Sequence, residues 1–239
     1  GCRKSAARVI DRNVDAITLR EDLSAEELKT MGVTKPKVYV TADPALLLEA
    51  GSEGAVDGFL LGNNIDPAGR YALFVLREWQ GFEAKKQAFV QSAKYVKDAY
   101  GLTPIFFALE PGRDLPPSRE VARELPFECP MLSAPADEKL IIGMMKKMQV
   151  VVSMRLHALI FASSVAAPLV AVSYDPKVTG FMHYIGQKHC VYFEDVTAEN
   201  LCALIDGALT ERSEYSVDRL RALAAQNEEI AKELLEEPI

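Results

Sequence analysis

Most of the common signatures of enzyme chemistry are missing from this 239-residue sequence. It has one tryptophan, three histidines and four cysteines, and Cys2, Cys129, Cys190 and Cys202 form no CxxC or mixed Cys/His pattern. His183 and His189 have no partner at ligand spacing and His157 stands alone, so no metal site is expected. The thiols are read as reduced, as in a cytoplasmic protein. No Walker A loop or GxGxxG follows a strand, which argues against a P-loop or nicotinamide site, and the GxSxG elbow of serine hydrolases is absent. No apolar run reaches the roughly 18 to 20 residues that span a bilayer. Nor does the opening read as a signal peptide, because Arg3, Lys4, Arg8 and Asp11 leave no apolar stretch.

What is present is the balance of a globular protein, 49% hydrophobic and 26% charged, long enough for one large domain or two small ones. Its 27 Lys and Arg against 34 Asp and Glu give a net charge of −7, a field that repels nucleic acid and anionic lipid. An anionic ligand must therefore be met by a local basic pocket. The chain opens on Gly1, and CRKSAARVIDRNV reads as a helix already under way, so upstream residues are expected to be missing.

Apolar patterning divides the chain into alternating elements. AITLR (16–20) reads as a strand, Ser24-Ala25-Glu26-Glu27 fits the S-x-x-E capping box of a helix ending near Gly32, and VYVTADP is a second strand closed at Asp43-Pro44. GSEGAVDG, from Gly51, is linker-like and marks a domain boundary. Beyond it, strands are expected at FLLG near residue 59, YALFVL from 71, PIFFAL from 104, CPML, VVVS, LVAVSY and CVYF. Helices are expected over 82–100, 117–125, 137–148, 155–166, 177–186 and 198–210. Short, continuously apolar strands between amphipathic helices imply a parallel sheet covered on both faces, an α/β, doubly wound, Rossmann-like domain. From Ser216 to Glu237, Val217, Leu220, Leu223, Ile230 and Leu234 recur at helical spacing. The expected division is 1–52 as the end of an N-terminal Rossmann-like domain with a connector, 53–215 as the C-terminal Rossmann-like domain, and 216–239 as a helix packing back across the domains.

Ligands of open parallel sheets bind beyond the carboxyl ends of the strands. In VVVSMRLHALIFA the strand ends at Ser153, read as an N-cap, with Arg155 and His157 in the next helix's first turn. Free N–H groups, the helix dipole and a guanidinium there suit a phosphate or carboxylate, although a buried arginine paired with an acid fits the same residues. In LVAVSYDPKV, Asp175 is an N-cap, Pro176 takes the first helical position and Lys177 lies just inside. A cation at that end costs about 0.3 to 1 kcal/mol, which an anionic ligand would offset, unless Lys177 is merely solvated. FVLREWQGF places Arg77 at a strand end and Trp79 two residues on, for an anion and a stacked sugar respectively, or with Trp79 as a plug for its loop. ALEPGRD brings Glu110, Arg113 and Asp114 into another strand-end loop suited to hydrogen-bonding hydroxyls, though such loops are polar by default.

SMRLHALIFA followed by VSYDPKVTGFM resembles the signature of the CsaB-type polysaccharide pyruvyl transferase family. ITLREDLSAEELKTMGV, VTADPALLL and FVLREW are similar to it in the same order, so the likeness touches nearly the whole chain. The resemblance implies the C-terminal half of a glycosyltransferase-B-like two-domain enzyme, with 53–215 binding the donor and most of the N-terminal half missing. Such an enzyme moves the enolpyruvyl unit of phosphoenolpyruvate onto two hydroxyls of a sugar, forming a pyruvate ketal and releasing phosphate. The implied acceptor is a bacterial cell-wall or exopolysaccharide precursor, often lipid-linked, met in the cytoplasm at the inner face of the membrane. Carried over by motif, the active-site residues are Arg155, His157 and Lys177, with Arg20 of ITLRE as an addition. Phosphoenolpyruvate is a co-substrate, and no cofactor is implied.

An imidazole ordinarily changes charge near neutral pH, so a histidine at 157 suits an acid toward the methylene carbon, a base toward a hydroxyl, or a phosphate ligand. Two other readings stand beside the transferase. One is a nucleotide-sugar glycosyltransferase or sugar epimerase of the same architecture, and the other is a non-catalytic sugar-phosphate binding module.

Overall fold

The computed structural model describes residues 2–135, 137–211 and 215–236. They form two compact units, one running to Leu47 and resuming at Asp218, the other spanning Leu48–Val217.

The smaller unit contains α1 (Cys2–Asn13), β1 (Ala16–Leu19), α2 (Asp22–Met31), β2 (Lys37–Val40), a 3₁₀ turn (Pro44–Leu47) and the closing helix (Val217–Glu236). β1 and β2 pair in parallel, Ala16 opposite Lys37. The Asp11 carboxylate at the end of α1 accepts from the backbone N–H groups of Thr34 and Lys35, both at 2.9 Å, and so ties that helix to the approach to β2. Asn227 of the closing helix accepts from the Thr41 hydroxyl at 2.8 Å and donates to the Ala42 carbonyl at 2.9 Å. Glu237, the expected end of that helix, lies outside the described residues. The capping box expected at Ser24 is corrected: α2 starts a turn earlier, and Glu21 is its cap, accepting from the Ser24 N–H at 3.2 Å. A carboxylate three residues upstream reaches the orphan N–H groups first. At the other end Gly32 takes the left-handed φ of 87° that the C-cap requires.

The larger unit opens with α3 (Glu53–Gly62), which corrects two expectations. GSEGAVDG is no linker beyond Ser52, and FLLG is the second half of this helix rather than a strand. Val56 and Leu60, four apart, share one buried face, a spacing that a four-residue apolar run cannot distinguish from a strand. The helix packs on α6 (Glu138–Lys146), where Gly143 allows the close approach, since a Cβ there would press on the Val56 side chain.

Six parallel strands follow: β3 (Tyr71–Val75), β4 (Thr103–Ala108), β5 (Met131–Ser133), β6 (Val150–Ser153), β7 (Leu169–Ser173) and β8 (Cys190–Tyr192). Their order is β5-β4-β3-β6-β7-β8, the doubly wound Rossmann arrangement, with the reversal between β3 and β6. Val75 lies opposite Ser153, so β3 and β6 end level, and Ser153 lies opposite Ala171, so β7 runs two residues further, to Ser173. α4 (Phe82–Tyr100), α5 (Pro111–Arg123) and α9 (Ala198–Thr210) pack together on one face. α3, α6, α7 (Leu156–Ser164) and α8 (Pro176–Tyr184) form the other group. Alternate strand residues, Ala72, Phe74 and Leu76 with Val150, Val152 and Met154, enter the core beneath α4 and α9, as the period of two requires.

The helix expected over 117–125 instead begins at Pro111 and contains Pro116 and Pro117. Proline at the first position costs no hydrogen bond, but Pro117 has no N–H for the Arg113 carbonyl four residues back. That carbonyl accepts from the Glu78 backbone N–H instead, at 2.8 Å. The prolines that obscured the helix thus release an acceptor that fastens it to the loop after β3.

Candidate active site

The loops that leave β3, β4, β6 and β7 meet at the strand-order reversal, where an open parallel sheet forms its ligand crevice. Arg77 follows β3, Glu110 caps α5 after β4, Asp114 sits in the first turn of α5, and Arg155 follows β6. These side chains form one ion network. Arg155 Nη1 lies 3.0 Å from Asp114 Oδ1 and 3.1 Å from Glu110 Oε2. Arg77 Nη1 reaches the same Glu110 oxygen at 3.3 Å, and Arg113 Nε lies 3.4 Å from Glu110 Oε1. Three guanidinium groups thus face two carboxylates in a protein whose net charge is −7.

Asp114 is fully buried and accepts from the Glu110 backbone N–H at 2.8 Å through its second oxygen. Burial pushes its carboxyl up to about 6, against the pull of that N–H and of Arg77. The carboxylate that steadies Arg155 is therefore the one with least access to water.

Ser153 does not cap α7, as the sequence suggested. Its hydroxyl accepts from the Arg155 N–H at 2.8 Å and donates to the Arg155 carbonyl at 3.0 Å, closing a tight loop that makes Arg155 the cap residue. Arg155 consequently precedes the helix, and no side chain caps the free N–H groups of the first turn. β7 ends in the same way: the Ser173 hydroxyl donates to the Asp175 carbonyl at 3.0 Å, and Asp175 caps α8.

Lys177 does not stand uncompensated at its helix end. Its Nζ lies 3.4 Å from Asp175 Oδ2, and its N–H donates to Asp175 Oδ1 at 3.0 Å, so the cap carboxylate offsets the ammonium within α8 itself. His157 is the second residue of α7, exposed, its ring 6.4 Å from that of Phe161. Arg20 belongs to the smaller unit, where it pairs with Asp43 at 3.1 Å.

Trp79 stacks at a tilt on Tyr174, with ring centroids 4.5 Å apart, while Arg77 lies 5.8 Å over the same tyrosine. The indole, 39% exposed, borders an open pocket of about 370 Å³ lined by Arg77, Glu78, Trp79, Gln80 and Arg113. An aromatic face ringed by guanidinium, carboxylate and amide groups can stack on a sugar ring and bond its hydroxyls. Tyr174 is absent from the residues singled out in the sequence. The available signal was an aromatic between a strand-end serine and a cap aspartate.

Among the described residues, no three His, Cys, Asp or Glu side chains gather as a metal set. No described helix is long and apolar enough to cross a membrane. The four cysteines are free, and burial pushes Cys129 and Cys190 up to about 11, which leaves them as poor nucleophiles.

A family model described as polysaccharide pyruvyl transferase matches residues 1–176. No curated protein matches the chain. Among solved structures, the chain is similar to UDP-GlcNAc 2-epimerase from Methanocaldococcus jannaschii, 13% identical with a TM-score of 0.67, over 93% of this chain and 63% of that one. It is also similar to Anabaena Alr3699/HepE in complex with UDP-glucose, 15% identical with a TM-score of 0.60, over 97% of this chain and 66% of that one. A third is a glycosyltransferase from Rickettsia africae ESF-5, 10% identical with a TM-score of 0.58, over 98% of this chain and 68% of that one. At such identities the likeness is one of fold, and this chain spans 63% of the epimerase's length.

Proposed function

Because this chain belongs to the polysaccharide pyruvyl transferase family, we propose that it carries the donor site of an enzyme that moves the enolpyruvyl unit of phosphoenolpyruvate onto two hydroxyls of a sugar. The products are a pyruvate ketal and inorganic phosphate. The observation that carries this reading is the gathering of Arg77, Arg113 and Arg155 at the reversal of the strand order. A doubly acidic three-carbon metabolite needs several cationic donors within a few ångströms, and forked guanidinium groups suit its carboxylate and phosphate alike.

In the reaction a proton reaches the methylene carbon, which becomes the methyl group, while the neighbouring carbon gains oxocarbenium character. A sugar hydroxyl adds to that carbon and gives up its proton, and a second hydroxyl then displaces phosphate. His157, at the mouth of α7, is assigned to proton transfer, and its exposed ring leaves it accessible to a ligand. Arg77 and Arg155 hold the carboxylate, and Lys177 with the uncapped N–H groups of α7 takes the phosphate. The Trp79–Tyr174 pair receives the acceptor ring, in a precursor that is lipid-linked and met at the inner face of the membrane.

The test uses the full-length protein with phosphoenolpyruvate and a panel of lipid-linked sugar precursors, read by mass spectrometry for added pyruvate and by assay of released phosphate. Equal amounts of ketal and phosphate are expected. Consumption of a UDP-sugar with phosphoenolpyruvate untouched would replace this reading with the nucleotide-sugar one.

A further inference from the structure

Glu110 occupies the centre of the arginine cluster, yet it is held there differently from its neighbour Asp114. Asp114 is fully buried and fixed by a backbone N–H as well as by Arg155. The Glu110 carboxylate is 48% exposed, and its ion pairs among the described residues are all with arginine: Arg155 at 3.1 Å, Arg77 at 3.3 Å and Arg113 at 3.4 Å. Its side chain leaves the helix cap without serving it, so the cap of α5 does not depend on that carboxylate. A half-exposed carboxylate can turn toward water at the cost of ion pairs that are individually weak.

The group Glu110 presents to Arg77 and Arg155 is the same in charge and forked geometry as a small acid's carboxylate. We propose that Glu110 is an exchangeable internal ligand, holding Arg77 and Arg155 in register while the site is empty and yielding its place to the substrate's carboxylate. Asp114 is then the permanent partner of Arg155 and Glu110 the replaceable one. The exchange keeps the charge of the cluster constant, which limits the electrostatic cost of emptying it. It also sets a threshold, because a ligand must outcompete a carboxylate already in place, and Glu110's return helps to expel the ketal's carboxylate after turnover. Glu110 on this account determines specificity by competition and takes no part in the chemistry. The inference rests on the assignment of Arg77 and Arg155 to the donor's carboxylate.

The experiment compares full-length wild type with Glu110→Gln and Glu110→Ala, measuring KM for phosphoenolpyruvate, kcat, inhibition by pyruvate, which carries the carboxylate alone, and melting temperature. Both variants should show KM and the pyruvate inhibition constant lowered roughly three- to tenfold, with kcat not raised. An active wild type whose variants bind both anions equally well or more weakly would overturn the role of Glu110 and leave the transferase reading intact. A wild type that neither turns over nor binds phosphoenolpyruvate would overturn both. Should either variant fold poorly, a structure of the wild-type complex with phosphoenolpyruvate decides: Glu110 still paired with Arg155 would refute the exchange.

Discussion

Arg155 donates to Asp114 across 3.0 Å, and the carboxylate that accepts is wholly buried. The bond joins the loop after β6 to the first turn of α5, past the end of β3 that lies between β6 and β4. A flexible arginine is thereby anchored from the protein side, so less side-chain freedom is lost when it meets a ligand.

Asp114→Ala should lower the unfolding free energy of the full-length protein by roughly 2 to 3 kcal/mol, because it removes the buried partner of a mostly buried guanidinium and leaves the Glu110 N–H without its acceptor. Asp114→Asn keeps an acceptor for that N–H and should lose less. Urea denaturation of both variants measures the difference.

The same carboxyl predicts a pH dependence. Its folded value of about 6 stands above the ordinary 3.8, so between those values the native state holds a proton that the unfolded chain has released. This group's contribution to stability therefore falls as pH rises from about 4 to about 6 and is level above that. Melting temperatures of wild type and Asp114→Asn across that range should converge as pH rises, and parallel curves would exclude the assignment.

For the chemistry, His157→Ala and Lys177→Ala should each reduce pyruvyl transfer by about a hundredfold or more. Near-normal turnover in both variants would reject their assigned roles.

Trp79→Ala should raise the KM for the sugar acceptor roughly three- to tenfold and leave that for phosphoenolpyruvate nearly unchanged, since only a stacking surface is lost. Trp79→Phe should recover most of the difference. Initial-rate measurements with each substrate varied in turn separate the two effects.

How much of this was legible in the sequence depended on how local the signal was. Helix 82–100 has the expected bounds because its apolar spacing ends at Gly101, which takes a φ of 65°, and helix 198–210 because Thr197 and Asn200 form a reciprocal capping box. FLLG misled, since its partners are Leu60's helical neighbour Val56 and the distant α6. The start of α5 was hidden by prolines whose missing N–H is compensated from Glu78, across the sheet end. At the site, Arg77 and Arg155 could be named from their places after strands. That both would turn to Glu110, and that Lys177 would be answered by its own cap aspartate, depends on pairings between segments that no spacing encodes.

The central pairing of the sheet has a consequence for how the chain acquires its shape. Leu73 lies opposite Val151, and everything between them belongs to the β4–β5 side or to the crossover that leads back. This long-range closure is slow in the sense that high contact order is slow, because an extended loop must be ordered before its reward arrives. During synthesis, β3, β4 and β5 can assemble as soon as they leave the ribosome, but Glu110 and Asp114 must wait for Arg155. A nascent chain stalled before β6 would leave Asp114 without its arginine beside an uncovered sheet edge, an aggregation hazard confined to one interval of translation.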